Sequence, residues 1–86
     1  MDLAQLRTEI DKIDDQLVSL FCQRMDVAAK IAQYKKENGI PVYIPVREQE
    51  KLEDIANIAG DDMAVYCQEL YALIFQLSRN HQEKQL

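Results

Sequence analysis

The chain has 86 residues, a formal net charge of −5 and 48% hydrophobic residues. That length predicts a single domain, residues 1–86, near the lower limit for a self-sufficient core. The negative charge argues against nucleic acid as a partner, and no apolar tract is long enough to span a membrane. The start, Met1–Gln5, lacks the basic residues and apolar run of a signal peptide, so we predict a cytoplasmic protein.

The cysteines and the histidine carry no metal-site pattern. Cys22 and Cys67 lie among apolar residues without motif spacing. We predict buried, reduced thiols there rather than a disulfide or a metal site. His81 is the single histidine and has no cysteine or carboxylate set at ligand spacing. We therefore expect no metal ion.

The first predicted helix runs from about Leu3 to Glu37. Asp2 is a suitable N-cap, and Asn38-Gly39 is a typical helix stop. Pro41 follows soon afterwards and prevents the helix from resuming. At about 1.5 Å per residue this helix would be about 50 Å long.

Two shorter helices follow. Pro45 suits the first turn of the second helix, which ends at Gly60. Asp61 and Asp62 are expected to cap the third helix and to place favourable charge in its first turn. The apolar face of the third helix comprises Met63, Tyr66, Cys67, Leu70, Leu73, Ile74 and Leu77. With no strand pattern present, the fold class is all-α, with three helices: one long, one short and one of medium length.

Apolar residues recur along the first helix at alternating spacings of three and four. This apolar seam consists of Leu3, Leu6, Ile10, Ile13, Leu17, Leu20, Val27, Ile31 and Tyr34. Such spacing is typical of a helix packed lengthwise against other helices. Two shorter helices cannot cover a seam of that length in one compact chain. We therefore predict an intertwined helical homodimer in which two long helices pair.

Arg24 occupies the seam position between Leu20 and Val27. A permanently charged guanidinium that faces a core is costly unless an anion pairs with it. That anion is either a protein carboxylate or a bound ligand.

Two more cations belong to the same helix. Lys35 follows Arg24 by eleven residues, so both project from one face about 16 Å apart along the axis. Lys35 can therefore help to enclose a small anionic metabolite, or it can simply cap the helix C-terminus. Arg7 lies about 25 Å from Arg24 along the helix. It is either a solvated surface residue or, in an antiparallel dimer, a neighbour of Arg24 in the other chain.

Four polar residues of the later helices are further candidates for the same site. Arg47 and Glu48 open the second helix, where a glutamate is also favoured by the helix dipole. Ser78 and Gln82 extend an apolar stripe of the third helix, either as frayed-end polarity or as hydrogen-bond donors to a pocket. In a dimer all of these can line one helical interior. No nucleophile–base pair, carboxylate dyad or glycine-rich phosphate loop accompanies them, so such a site would act on a small polyanion by positioning and electrostatics.

In this order and spacing, the residues resemble the all-helical chorismate mutases of the shikimate pathway. Leu6–Asp14, LRTEIDKID, resembles that family's opening LRxxIDxID, and Leu20–Ala28, LFCQRMDVA, resembles its LLxxRxxLA segment. Lys35, followed by Gly39–Val42 and Arg47-Glu48, resembles its K…G.PI…RE stretch.

The resemblance extends to the spacing of Ser78 and Gln82 in the last helix and so covers the chain from Leu6 to Gln82. It implies the rearrangement of chorismate to prephenate, in the biosynthesis of phenylalanine and tyrosine, without a cofactor or covalent intermediate. Lys35 and Gln82 would donate hydrogen bonds to the ether oxygen, and Glu48 would accept one from the ring hydroxyl.

The same resemblance assigns the substrate carboxylates. Arg24 and the partner chain's Arg7 would bind them, with Arg47 contributing and Ser78 hydrogen-bonding nearby. The implied catalytic residues are therefore Lys35, Gln82, Arg24 and Glu48.

One position departs from the family pattern. Many members have an aspartate three residues before the Arg-Glu pair, and here that position is Ile44. Ile44 stays a substrate-binding position because the family contact is partly made by the backbone. Two alternatives remain: an isochorismate-pyruvate lyase, which shares this fold, and a non-catalytic helical dimerisation or ligand-sensing module.

Overall fold

The computed structural model describes residues 2–85. Within that range the chain forms three helices and no strand: α1, Leu3–Glu37; α2, Pro45–Ala59; and α3, Ala64–Gln85. The predicted all-α class and the predicted number of helices are therefore confirmed.

Local signals determine both ends of α1. The Asp2 carboxylate accepts a hydrogen bond from the Gln5 backbone N–H at 2.9 Å, and the Gln5 side chain accepts one from the Asp2 N–H at 3.0 Å. This reciprocal capping box satisfies two N–H groups that the helix itself leaves unpaired. At the other end Asn38 is the C-cap, and Gly39 has a φ of 68°, which glycine adopts without steric cost.

The expected bounds of α2 are confirmed, but the expected cap of α3 is wrong. Pro45 occupies the start of α2, and Gly60 ends it with a φ of 82°. Asp61 and Asp62 lie in a turn that the Met63 N–H closes on the Gly60 carbonyl at 3.1 Å. This extra turn delays the start of α3 to Ala64, so neither aspartate reaches its first turn.

The core lies where α3 meets the other two helices. Gln68 of α3 donates a hydrogen bond to the Leu52 carbonyl at 3.1 Å, while Arg79, later in α3, contacts Glu48. These pairings show that α3 runs antiparallel to α2. Contacts of Ser78 and Gln82 with successive positions of α1 show that α3 and α1 run in the same direction. The most buried apolar side chains are Ala32, Ile55, Ile74 and Phe75.

Most of the apolar seam of α1 is open to solvent in this single chain. The molecule is 55 Å long, consistent with the expected length of α1, and α3 packs on the C-terminal half of that helix. Ile13 is 59% exposed and Leu20 is 61% exposed. The other seam residues are similarly exposed, namely Leu3, Leu6, Ile10, Leu17, Val27, Ile31 and Tyr34.

The two cysteines are not bonded to each other, and the prediction that both are buried is wrong for the single chain. Cys22 is exposed, and Cys67 is half-buried. Cys22 is exposed because the face of α1 that α3 covers lies to one side of it, at Phe21, Met25, Ala28 and Ala32.

Among residues 2–85, no helix is both long and apolar enough to cross a lipid bilayer.

Candidate active site

A cavity of about 190 Å³ lies between the C-terminal half of α1, the start of α2 and the C-terminal half of α3. Its lining includes seven of the eight site residues predicted from the sequence. The full lining is Arg24, Ala28, Ile31, Ala32, Lys35, Val42, Ile44, Arg47, Glu48, Phe75, Ser78, Arg79 and Gln82.

Arg24 is held by aromatic rings and not by a carboxylate. Its guanidinium carbon lies 5.5 Å from the ring centroids of both Tyr71 and Phe75 on α3. Neither of the two ion pairs formed within residues 2–85 includes Arg24. Cation–π contact fixes the position of the guanidinium without neutralising it, so its N–H groups stay available to an anion.

Lys35 lies in the last turn of α1, half-buried, and lines the cavity beyond Ala28 and Ile31. Its ammonium nitrogen donates a hydrogen bond to the Val42 carbonyl at 3.3 Å. An ammonium group has three N–H donors, so two are left for a ligand. The connection between α1 and α2 thus anchors the lysine without consuming its donor capacity.

Two residues of α3 approach α1 from the other side of the cavity. Ser78 is buried, with 6% of its surface exposed, and its hydroxyl lies 3.3 Å from the Met25 sulfur. Gln82 donates one amide N–H to the Ala28 carbonyl at 3.1 Å. The second N–H of that amide is left for a ligand, and Gln82 lines the cavity together with Lys35.

The first turn of α2 contributes a cation and a carboxylate. The Arg47 side chain is 69% exposed and lies 3.9 Å from Glu50, a pair that contributes little to stability at such exposure. Glu48 is more enclosed and is ion-paired with Arg79 of α3. Ile44, the N-cap of α2, brings no side-chain acceptor; its carbonyl accepts from the Arg47 N–H at 3.1 Å.

Sequence reasoning missed Arg79. Its guanidinium pairs with Glu48 and lies 4.6 Å from the ring centroid of Tyr43. The hydrogen bond to Glu48 raises the pKa of Arg79 above its ordinary value, against the opposing effect of burial. The sequence pattern gave no signal for it, because Arg79 lies about 100° around α3 from the adjacent Ser78 and its partner lies 31 residues earlier in the chain.

Arg7 is the predicted site residue that the single chain does not bring to the cavity. It is exposed, in the second turn of α1, about 25 Å along the helix from Arg24.

The cavity is strongly cationic for an acidic protein. Arg24, Lys35, Arg47 and Arg79 face one carboxylate, Glu48, so the lining carries a net charge of +3 in a chain of net charge −5. Such a concentration of positive charge attracts a small anion against the field of the whole molecule. Residues 2–85 contain no group of three or more His, Cys, Asp or Glu side chains placed to bind a metal ion.

The model of the family described as "Chorismate mutase type II" matches residues 6–83 of the chain. A "Bifunctional chorismate mutase/prephenate dehydratase" of Aquifex aeolicus is 35% identical over 57 residues, covering 66% of this chain and 16% of that protein. A "Chorismate mutase" of Methanocaldococcus jannaschii is 38% identical over 47 residues, 55% of this chain and 48% of the relative.

A third relative is the "4-amino-4-deoxychorismate mutase" of Streptomyces venezuelae, 33% identical over 60 residues, 70% of this chain and 58% of the relative. The chain thus spans less than two thirds of the length of each of these three proteins. No solved structure matches the chain at a significant level.

Proposed function

Because this chain belongs to the chorismate mutase type II family, we propose that it catalyses the rearrangement of chorismate to prephenate. The observation that carries the proposal is the cavity itself, in which a net charge of +3 surrounds hydrogen-bond donors with unused N–H groups. Chorismate is a dianion, and its two carboxylates complement that charge.

Arg24 is proposed as the main carboxylate ligand. The reactive conformer of chorismate is folded, with the enolpyruvyl carbon above the ring, and extended conformers compete with it in water. A guanidinium held against the Tyr71 and Phe75 rings binds a carboxylate in a fixed direction and so favours the folded conformer. Arg47 is proposed to contribute a second positive charge, with Ser78 hydrogen-bonding nearby.

Lys35 and Gln82 are proposed to stabilise the transition state. In the rearrangement the ether C–O bond breaks while a C–C bond forms, and no proton is transferred. Negative charge develops on the ether oxygen as its bond lengthens. The spare N–H groups of Lys35 and Gln82 are positioned by Val42 and Ala28, so they bind the charged oxygen better than the neutral ether.

Glu48 is proposed to accept a hydrogen bond from the ring hydroxyl of the substrate. One of its oxygens contacts Arg79, which leaves the other to the cavity. Ile44 replaces the carboxylate that many family members have nearby, so only its backbone is available for a contact. That substitution favours one second candidate, the isochorismate-pyruvate lyase activity, which would yield pyruvate and salicylate.

A homodimer is proposed as the active form. The exposed seam of α1 is joined by exposed apolar residues of α3, namely Val65, Tyr66, Leu70, Leu73 and Leu77. A continuous apolar surface of this extent is typical of an interface between subunits. In an antiparallel arrangement of two α1 helices, Arg7 of one chain approaches Arg24 of the other and completes the cationic site.

The proposed reaction belongs to the biosynthesis of phenylalanine and tyrosine. A relative named for both chorismate mutase and prephenate dehydratase supports that assignment. The cytoplasmic location stays a prediction.

The proposal is tested by following chorismate loss and prephenate formation with purified protein, wild type against Lys35→Ala. Removing one donor to the developing charge is expected to lower kcat about a hundredfold or more. Lys36→Ala is the matched control, because Lys36 shares the last turn of α1 but does not line the cavity. Pyruvate and salicylate from isochorismate, with no prephenate from chorismate, would overturn the proposal in favour of the lyase.

A further inference from the structure

The ion pair between Arg79 and Glu48 is part of the cavity lining and is not needed to explain the fold. Both side chains are partly exposed, at 31% for Arg79 and 27% for Glu48. A pair this accessible contributes modestly to stability, yet it connects the first turn of α2 to α3 at the wall of the cavity. Its position suggests a role in recognition.

We propose that Arg79 is a specificity-determining residue that makes the Glu48 end of the cavity accept an uncharged ring substituent and reject a cationic one. The inference rests on the proposed function, in which Glu48 meets the substituent at ring position 4. Chorismate has a hydroxyl there. The substrate named for the Streptomyces venezuelae relative has an amino group instead, which is protonated at neutral pH.

Two contacts hold Arg79 in place. Its guanidinium donates to one oxygen of Glu48 and lies 4.6 Å from the ring centroid of Tyr43. Cation–π contact and a charge-assisted hydrogen bond together restrict a side chain that is otherwise among the most mobile. The positive charge therefore stays beside the carboxylate and does not move with the ligand.

The charge balance at this end of the cavity follows from that placement. Glu48 is the one carboxylate among the described residues that line the cavity, and Ile44 adds no second acceptor. Arg79 neutralises Glu48 while leaving its other oxygen free to accept from a hydroxyl. A ring ammonium would gain the attraction of Glu48 but would suffer the repulsion of Arg79 a few ångströms farther on.

An alternative role makes a different prediction. If Arg79 binds a substrate carboxylate, both compounds lose affinity equally when it is removed, because both have the same two carboxylates. If it only supports the fold, both activities again fall together. The ratio of kcat/KM for chorismate to kcat/KM for 4-amino-4-deoxychorismate therefore isolates the specificity role.

The experiment measures that ratio for the full chain in wild type, Arg79→Met and Arg79→Lys, with circular dichroism as a check of folding. Arg79→Met is expected to shift the ratio about tenfold or more toward the amino compound, since an unpaired Glu48 attracts an ammonium. Arg79→Lys retains the positive charge that repels an ammonium and is expected to keep the ratio within about threefold of wild type. If Arg79→Met does not fold, Arg79→Gln provides the same uncharged comparison.

A double variant tests whether the shift in the ratio depends on the pair of Arg79 and Glu48. In Arg79→Met combined with Glu48→Gln, the gain for the amino compound is expected to disappear, because the attracting carboxylate is gone. An unchanged ratio in Arg79→Met, or a shift that survives in the double variant, would overturn the inference. A wild type that converts neither compound would instead overturn the proposed function and the inference with it.

Discussion

The two halves of α1 break the usual rule of burial in opposite ways. In the N-terminal half, apolar side chains such as Ile10 and Ile13 are exposed to solvent. In the C-terminal half, the charged side chains of Arg24 and Lys35 line a cavity formed with α2 and α3. An exposed apolar face is typical of a surface that another protein covers. An enclosed cation with no carboxylate partner is typical of a site that binds an anion. We therefore propose that one helix combines a surface for assembly with a surface for binding.

In the proposed dimer the two halves of α1 depend on each other. Arg7, on the half that is exposed, is the one proposed site residue missing from the cavity. Association through the seam would bring the Arg7 of a partner chain to the cavity. We therefore expect changes at the seam residues of the N-terminal half to alter activity through assembly, and changes at Arg24 and Lys35 to alter activity alone.

The largest effect is expected from a charge placed in the exposed seam. Ile13→Asp should abolish both dimer formation and activity, because burying a carboxylate against an apolar partner costs several kcal/mol per subunit. Sedimentation velocity and the chorismate assay measure the two losses. Thr8→Asp is the matched control: it adds the same charge to the exposed, opposite side of α1 and should change neither. A dimeric, active Ile13→Asp protein would contradict the role of the seam.

The next largest effect is expected from removing Arg24 from the cavity. Arg24→Ala should lower kcat/KM about a hundredfold, since a charge-assisted, two-point contact to a carboxylate is lost. The dimer should remain folded, as Arg24 contributes packing on Tyr71 and Phe75 but no ion pair within residues 2–85. Arg24→Lys should recover only part of the activity because it lacks the planar fork. Dissociation of the Arg24→Ala dimer would show that the two halves of α1 are not separable.

Salt is expected to weaken substrate binding at the cavity but not the association through the seam. Raising sodium chloride from about 50 to 500 mM should raise KM for chorismate about threefold, because salt screens the cationic cavity. The dissociation constant of the dimer should stay the same or decrease, since burial of apolar surface is not weakened by salt. Steady-state kinetics and sedimentation equilibrium measure the two responses. A dimer that dissociates with added salt would mean that charges, and not the seam, hold it together.

The smallest effect is expected at the start of α1. Asp2→Ala should lower the free energy of unfolding by about 1 kcal/mol through loss of the capping box, with kcat unchanged. Asp61→Ala is the control, since Asp61 lies in a turn and caps no helix, and it should change stability by less than about 0.5 kcal/mol. Urea unfolding compares the two. Equal losses would mean that the Asp2 cap contributes nothing of its own.

Local chemistry made most of the fold predictable. The bounds of α1 follow from Asp2 and from Asn38-Gly39, which act on their own neighbours in the chain. The start of α3 was mispredicted because Asp61 and Asp62 have the composition of a cap, while the turn closed between Gly60 and Met63 displaces the helix.

Arg24 could be predicted as a binding residue because its charge interrupts the apolar periodicity of the seam. Arg79 violates no pattern in its own helix. Its role arises from Glu48 and Tyr43, which reach it only after the chain has folded. The solvent exposure of Cys22 was likewise mispredicted. It depends on the direction of the side chain around the helix and not on the apolar residues beside it in the chain.

The most direct test of the account is complementation between two inactive variants. Arg7→Ala and Arg24→Ala are purified separately, mixed, unfolded together and refolded, and chorismate turnover is measured. A mixed dimer would contain one intact site, so random pairing predicts recovery of about a quarter of wild-type activity. If the mixture shows only the average of the two variants, Arg7 does not act across the interface, and the proposal that one chain completes the site of the other is wrong.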